Sequence, residues 1–218
     1  MYRKYMKRIF DIVLSAAALV VLLIPMLFTA LAVKLDSKGP VLFRQRRIGK
    51  NKREFYIYKF RTMRTDAPSD APTHTLGNAD GYITKVGAFL RKTSIDELPQ
   101  IINILLGHMS IVGPRPALWN QYDLIAERDR YGANDIRPGL TGWAQINGRD
   151  ELSIPVKARF DGEYVQKYGF VFDLCCILKT FSRVARADGV IEGKSDEKCA
   201  REDKTEENEK ENAKVENK

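Results

Sequence analysis

The hydrophobic positions fall into one long run and several short ones. Residues 9–33 form a run of 25 interrupted by a single charge, Asp11. A helix in lipid needs about 20 consecutive apolar residues, and a soluble core helix of this length would be unusual. Pro25 lies inside the run. It removes a helical N–H and crowds the carbonyl one turn earlier, so a bend is expected there. The arms on either side, 9–24 and 25–33, come to about 24 Å and 13 Å of helix. Neither crosses a hydrocarbon core of about 30 Å. Basic residues flank both ends: Arg3, Lys4, Lys7 and Arg8 before, Lys34, Lys38, Arg44, Arg46 and Arg47 after. Positive flanks favour the cytoplasmic side, and one crossing can place only one flank there. The residues alone leave two forms open, a tilted single-pass helix with a mild kink and a bent helix that leaves by the face it entered.

Beyond a turn at Ser37-Lys38-Gly39-Pro40, residues 41–49 and 54–63 read as two strands around Gly49-Lys50-Asn51-Lys52. The second alternates Phe55, Ile57, Lys59 and Arg61 against Tyr56, Tyr58 and Phe60, which would aim Lys59 and Arg61 from one face; Arg44 and Arg46 could act alike from the first strand. Residues 67–81 read as a loop, with His74 an exposed polar residue. A short amphipathic helix is expected over 83–91, and an apolar core segment over 101–106. A further helix over 119–130 would carry Trp119, Tyr122, Ile125 and Ala126 on one side, to pack on the core or lie in the lipid interface. Helices over 154–168 and 170–184 follow, the second apolar enough for either a core or a membrane interface. From residue 194 the chain is Glu, Lys and Asn with almost nothing apolar, which predicts disorder. The expected division is 1–35 membrane helix, 36–193 catalytic domain and 194–218 charged tail.

Charge sharpens this picture. The chain holds 36 basic and 28 acidic residues; residues 194–218 hold seven and nine of them, leaving 29 and 19 before the tail, net +10. A basic body attracts phosphates, whether of nucleic acid, anionic lipid or nucleotide. Cys175, Cys176 and Cys199 form no C-x-x-C pair, which argues against zinc and disulfides and for a reducing compartment. Two stretches stand out. In Ser94-Ile95-Asp96-Glu97-Leu98-Pro99-Gln100, Ser94 and Glu97 match a capping box. Asp96 and Glu97 are also paired carboxylates at a helix start, where free N–H groups suit carboxylate and phosphate alike. In Gly113-Pro114-Arg115-Pro116, the prolines Pro114 and Pro116 fix the backbone around Arg115. That suits bidentate phosphate recognition, and an arginine in an extended turn fits the tetrapeptide equally. The glycines of Arg137-Pro138-Gly139-Leu140-Thr141-Gly142 allow close approach to a ligand or simply a tight turn.

These stretches, with Phe43-Arg44-Gln45-Arg46-Arg47-Ile48-Gly49 and Lys59-Phe60-Arg61-Thr62-Met63, occur in an order that resembles the bacterial sugar transferases, the monotopic phosphoglycosyl transferases, over residues 7–185. The resemblance implies an α+β, mostly helical fold in minimal catalytic form: an N-terminal re-entrant membrane helix broken at Ile24-Pro25, a small β-hairpin and interfacial amphipathic helices. It implies an enzyme of the bacterial inner (cytoplasmic) membrane, monotopic, with its catalytic domain facing the cytoplasm. Such enzymes move a phospho-sugar from a UDP-sugar to a polyprenol phosphate, usually undecaprenyl phosphate, releasing UMP and starting surface-glycan assembly. Asp96 would be the nucleophile and a Mg²⁺ ligand, and Glu97 its catalytic partner. Lys59, Arg61, Arg115 and Arg149 are the expected phosphate clamps. Asp161 is a candidate for nucleoside or metal contact, with a buried structural carboxylate as the alternative. The expected partners are the UDP-sugar, the polyprenol phosphate and membrane lipid, with no nucleic acid and with self-association left open. Two positions depart from the family pattern: Ile24 stands where serine often precedes the proline, and His108 where aspartate is common. Two rival classes stand beside this one. A lipid-binding surface module without activity explains charge and helix but gives no reason for the Asp-Glu pair among clustered arginines; a membrane-anchored glycosyltransferase would release UDP and use no covalent enzyme intermediate.

Overall fold

The computed structural model describes residues 2–67, 81–148 and 152–186; His74, Arg149 and the charged tail lie outside them. A π-helical turn, Tyr2–Met6, leads into helix α1 (Lys7–Asp36) and the hairpin β1 (Leu42–Ile48) and β2 (Glu54–Phe60). Then follow α2 (Lys85–Thr93), a 3-10 turn Ile95–Glu97, α3 (Gln100–Leu105), β3 (Ser110–Val112) and α4 (Tyr122–Asp129). The chain continues with β4 (Gly139–Thr141), α5 (Trp143–Ile146), α6 (Ile154–Lys167) and α7 (Phe170–Arg186). The fold is α+β and mostly helical, as the resemblance implies. The hairpin is antiparallel, pairing Leu42 with Phe60 and Ile48 with Glu54. A second, parallel pair joins Ser110 to Gly139 and Val112 to Thr141. Strands of three residues carry too little alternation to be read from sequence.

Helix α1 continues through Pro25 as one element, so the break expected at Ile24 and Pro25 does not divide it in two. Proline is tolerated in helices made for lipid. Here the Thr29 hydroxyl donates to the Pro25 carbonyl at 2.9 Å, a back-bond of the kind that accompanies bending. A buried or half-buried stripe recurs at Asp11, Ser15, Ala18, Leu22, Met26 and Val33, one helical face. The opposite face is apolar and open: Val20, Val21, Ile24, Leu27, Phe28 and Leu35 are each more than 60% exposed.

Both ends of α1 are fastened to the same domain. At the start, Lys7 pairs with Asp173 of α7 at 2.7 Å. Arg8 donates to the Ile104 and Leu105 carbonyls, where α3 ends. Asp11, the lone charge of the apolar run, accepts the Ile111 N–H of β3 at 3.0 Å. At the far end, Val33 packs with Phe60 and Leu90, and Arg61 donates to Ser37 O at 2.7 Å and Ser37 Oγ at 2.9 Å. A helix C-terminus leaves carbonyls unsatisfied and carries partial negative charge, so a buried guanidinium suits it.

The apolar interior is divided. One cluster sets Phe55 and Ile57 of β2 against Ile104 and Met109. Another gathers Val112, Ile146, Tyr164 and Cys176 under α5, α6 and α7. Helix α4 buries Leu124 and Arg128, while Tyr122 and Ala126 are exposed, so of the two placements left open for its apolar side the protein core is not the one taken. Helix α7 buries Asp173 and Cys176 and leaves Phe170, Val171, Leu174, Leu178 and Phe181 exposed.

Helix α2 lies directly on the segment after β2. A Cβ added at Gly87 would come 2.0 Å from the Thr62 carbonyl oxygen. Alanine favours a helix by about 1 kcal/mol over glycine, yet backbone cannot yield as a side chain does. Gly87→Ala is therefore expected to destabilise the protein by about 1–3 kcal/mol, read as a lower unfolding midpoint in detergent. An unchanged midpoint would show that α2 does not approach Thr62 this closely.

Candidate active site

The site is assembled around one carboxylate. Lys59 Nζ and Arg115 Nη2 each donate to Glu97 Oε1 at 2.8 Å. Asp96 lies beside them, its Oδ2 3.8 Å from Lys59 Nζ. Its carboxylate accepts no hydrogen bond among the described residues. Both acids are buried.

Local chain chemistry sets this up. Ser94 ends α2 in the left-handed region, at φ 57°. The chain then makes a single 3-10 turn, Ile95–Glu97, before Pro99 opens α3. The capping box expected at Ser94 and Glu97 does not form, since Ser94 makes no side-chain cap bond. An N-cap wants extended backbone, and the Glu97 carboxylate is drawn to two cations instead. Thr84 caps α2, its hydroxyl accepting the Gly87 N–H at 3.0 Å.

Lys59 is positioned by the strand that carries it. Asn103 of α3 is fully buried; its amide donates to Tyr56 O at 2.7 Å and accepts the Tyr58 N–H at 3.0 Å. The side chain thus completes the outer edge of β2 one residue before Lys59. Arg115 is positioned by its loop. Pro114 O accepts from Gly139 N, and Gly113 N donates to Thr141 O. Arg128 Nη1 donates to Arg115 O at 2.9 Å, and Arg47 Nη1 donates to Pro116 O at 2.9 Å. The glycines of the second motif serve this backbone contact: a Cβ at Gly142 would meet Gly113 O at 2.0 Å.

Other candidates fall elsewhere. Arg61 caps α1 and does not join the cluster. β2 ends at Phe60, so strand alternation no longer ties residue 61 to the face of Lys59. Asp161 is 1% exposed and is held by Arg128, whose Nε and Nη2 reach Asp161 Oδ2 at 2.8 and 2.6 Å. It therefore sits one layer behind Arg115. Arg44 and Arg46 stack on the outward face of the hairpin, over Tyr56 and over Trp119. Arg149 lies outside the described residues. Arg91 was not singled out from the sequence. Its Nε donates to Thr62 Oγ1 at 2.9 Å, and its charge acts on Asp96. A base five residues before Asp96, across a helix end, is the signal that could have marked it.

The two neighbouring acids have opposite electrostatics. Burial pushes Asp96 above the ordinary carboxylate range, and the adjacent Glu97 charge adds to this against the pull of Lys59, Arg91 and Arg115. Burial opposes ionisation of Glu97 as well, but Arg115 and Lys59 together hold it well below that range. Among the described residues no three His, Cys, Asp or Glu converge on a metal. The Asp96 carboxylate, which accepts no hydrogen bond among the described residues, is a hard oxygen donor of the type Mg²⁺ takes.

The family model for bacterial sugar transferase matches residues 2–187. The chain belongs to the bacterial sugar transferase family. Among relatives of this bacterial sugar transferase is the exopolysaccharide production protein PSS of Rhizobium leguminosarum bv. phaseoli, 44% identical over 84% of this chain and 98% of the relative. The UDP-glucose:undecaprenyl-phosphate glucose-1-phosphate transferase of Escherichia coli (strain K12) is 42% identical over 81% of this chain, but this match spans only 39% of that protein. The Xanthomonas campestris pv. campestris protein of the same name is 40% identical over 82% of this chain and 38% of its own length.

The opposed shifts predict opposed effects on stability. A carboxylate with a raised folded-state pKa destabilises the fold once pH exceeds its unfolded value, about 3.9 for Asp. Asp96→Asn should therefore melt at or above the wild-type temperature at pH 7. A depressed pKa contributes stability above the unfolded value, about 4.3 for Glu, that fades as pH falls through the folded one. Glu97→Gln strands two cations and should cost on the order of 3 kcal/mol at pH 7, the gap to wild type narrowing as pH drops below 4. Thermal unfolding of the three proteins across pH checks both signs; a Glu97→Gln protein as stable as wild type at pH 7 would contradict the pairing.

Proposed function

We propose that this sugar transferase moves a sugar phosphate from a UDP-sugar to a polyprenol phosphate, undecaprenyl phosphate by preference, in two steps through Asp96. The observation that carries this is the contrast within the Asp-Glu pair: Glu97 Oε1 accepts from both Lys59 and Arg115, while the Asp96 carboxylate, 3.8 Å from Lys59 Nζ, accepts no hydrogen bond among the described residues. The names of the Escherichia coli and Xanthomonas relatives support the donor and acceptor classes.

The substrates explain the need for a covalent intermediate. The donor diphosphate and the acceptor phosphate are both anions, one soluble and one tethered to lipid, and a carboxylate nucleophile lets them react in turn. An Asp96 oxygen attacks the β-phosphorus; the bond from that phosphorus to the bridging oxygen breaks, and UMP leaves with the oxygen. An oxygen of the lipid phosphate then attacks the same phosphorus, the bond to Asp96 breaks, and a polyprenol diphosphate sugar departs with the carboxylate restored. Lys59, Arg91 and Arg115 outnumber the two acids around them, which favours an arriving dianion. Arg115, fixed between Pro114 and Pro116, presents its guanidinium to the transferred group. Asp96 with the donor phosphates would hold Mg²⁺, which neutralises charge where phosphoryl transfer needs it.

The site lies at the membrane in this reading. Both ends of α1 are fastened to one domain, and its outward face is apolar throughout. A helix anchored this way suits entry and exit by one face, which supports a monotopic arrangement, and the basic residues at both of its flanks favour the cytoplasmic side for the domain. The exposed apolar stripe of α7 meets the same interface.

Purified protein given Mg²⁺, undecaprenyl phosphate and a panel of UDP-sugars should release UMP from one donor. Asp96→Asn should lose at least about 10³-fold in turnover, as removal of a covalent nucleophile does. With donor alone, the Asp96 peptide should gain the mass of a sugar phosphate. Release of UDP would replace this reading with ordinary glycosyl transfer, and UMP release by Asp96→Asn would remove Asp96 from the chemistry.

A further inference from the structure

Pro114, Arg115, Pro116 and Ala117 present four consecutive carbonyls, each bonded to a different partner. Three are held by the hairpin or by β4: Gly139 N to Pro114 O, Arg47 Nη1 to Pro116 O and Ile48 N to Ala117 O, each at 2.9 Å. The Arg115 carbonyl is held by a side chain from a separate layer, Arg128 of α4. Arg128 is 3% exposed and Asp161 1%. Two of the Arg128 nitrogens converge on Asp161 Oδ2, and the third reaches Arg115 O at 2.9 Å.

Burying such a pair is costly. Desolvation of two ions commonly matches or exceeds their attraction, and well-packed apolar residues often replace a buried pair at no loss of stability. Stability alone is therefore a poor reason for this pair. Geometry is a better one. Flanking prolines limit the backbone at Arg115 without setting its peptide plane, and the guanidinium must reach Glu97 Oε1 and a phosphate together. Asp161 orients the planar Arg128 fork, and the fork's remaining nitrogen sets that plane.

We infer that Arg128 and Asp161 are positioning residues, which hold the Arg115 guanidinium against Glu97 in its phosphate-binding place without touching substrate. The chain of contact runs from Asp161 to Arg128, to the Arg115 carbonyl, to the Arg115 side chain, to Glu97. This role rests on the proposed transfer only for its effect on turnover; the geometric claim stands apart from it.

Single variants would strand a buried charge and could unfold the domain, so the test uses the apolar pair Arg128→Met with Asp161→Val. The double variant should retain the wild-type melting temperature within a few degrees. Its crystal structure should show the Arg115 guanidinium out of hydrogen-bonding distance of Glu97. Its kcat for UMP release should fall about tenfold or more, as small misplacements near reacting groups do, with KM for the donor changed much less. Placed in an Arg115→Ala background, the pair should cost almost nothing further, because its effect passes through Arg115. A folded double variant with the Arg115–Glu97 contact intact would overturn the inference, as would a full additional loss in the Arg115→Ala background. If the wild-type protein itself releases no UMP, the transfer reading fails, and the structure of the double variant alone decides the positioning role.

Discussion

The structure depends on a single buried anion. Glu97 is covered on both sides by protein, and a carboxylate in that place is tolerable only with its charge answered. The answer comes from two distant parts of the chain, Lys59 on a strand and Arg115 on a proline-bounded loop. Each is in turn held from behind, β2 by the Asn103 amide and the loop by β4, Arg47 and Arg128. One oxygen thus joins the hairpin, the 3-10 turn and the loop into a common frame. The consequence falls on its neighbour. With Lys59 and Arg115 bonded to Glu97, Asp96 is left near positive charge but without a donor of its own.

The same economy of polar contacts attaches the apolar helix. Little of α1 is buried, so its place is set by a few directed bonds at its ends: Lys7, Arg8 and Asp11 at one, Arg61 at the other. Each binds a group that needs a partner, a buried carboxylate, the last carbonyls of α3, a strand N–H or the last carbonyls of α1 itself. This leaves the helix's outer residues unsatisfied by protein. An apolar surface this continuous is rare on a soluble monomer. In the proposed arrangement lipid covers it, and the attachments keep the Asp96 turn at the depth of the acceptor phosphate.

Much of this was legible in the chain, and the failures have physical causes. The long apolar run, the hairpin and helices α2, α4, α6 and α7 were legible in the pattern, each running over two or more turns or several strand residues; α5, a single turn of four residues, was not. Lys59, Asp96, Glu97 and Arg115 were all singled out as candidates, and they converge. Arg61 was grouped with Lys59 by alternation, a rule that holds only inside the strand; one residue beyond its end, the unmet carbonyls of α1 claim the guanidinium. The capping box failed because Ser94 is left-handed and Glu97 has stronger partners than a backbone N–H. On α4 the apolar side could be read for either the core or a lipid interface; Leu124 and Arg128 are the residues buried, the latter paired with Asp161, and Tyr122 and Ala126 stay exposed. Arg91, Asn103 and Arg128 look like ordinary helix polar residues in sequence. Their roles exist only once β2, the loop and α6 are brought beside them.

Under the proposed transfer, two adjacent acids share a site where one carboxylate could serve as nucleophile. A lone carboxylate among Lys59, Arg91 and Arg115 would be strongly paired, its pKa low and its lone pairs occupied, and so a weak nucleophile. Glu97 takes that place instead. It absorbs two of the cations and returns a negative charge next to Asp96, which together with burial lifts Asp96 above its usual range. Neighbouring titratable groups pushed in opposite directions mark a division of labour. In the proposed transfer the pair would therefore separate two demands that conflict in one residue, fixing the cations that would receive a diphosphate and keeping an Asp96 oxygen to attack it.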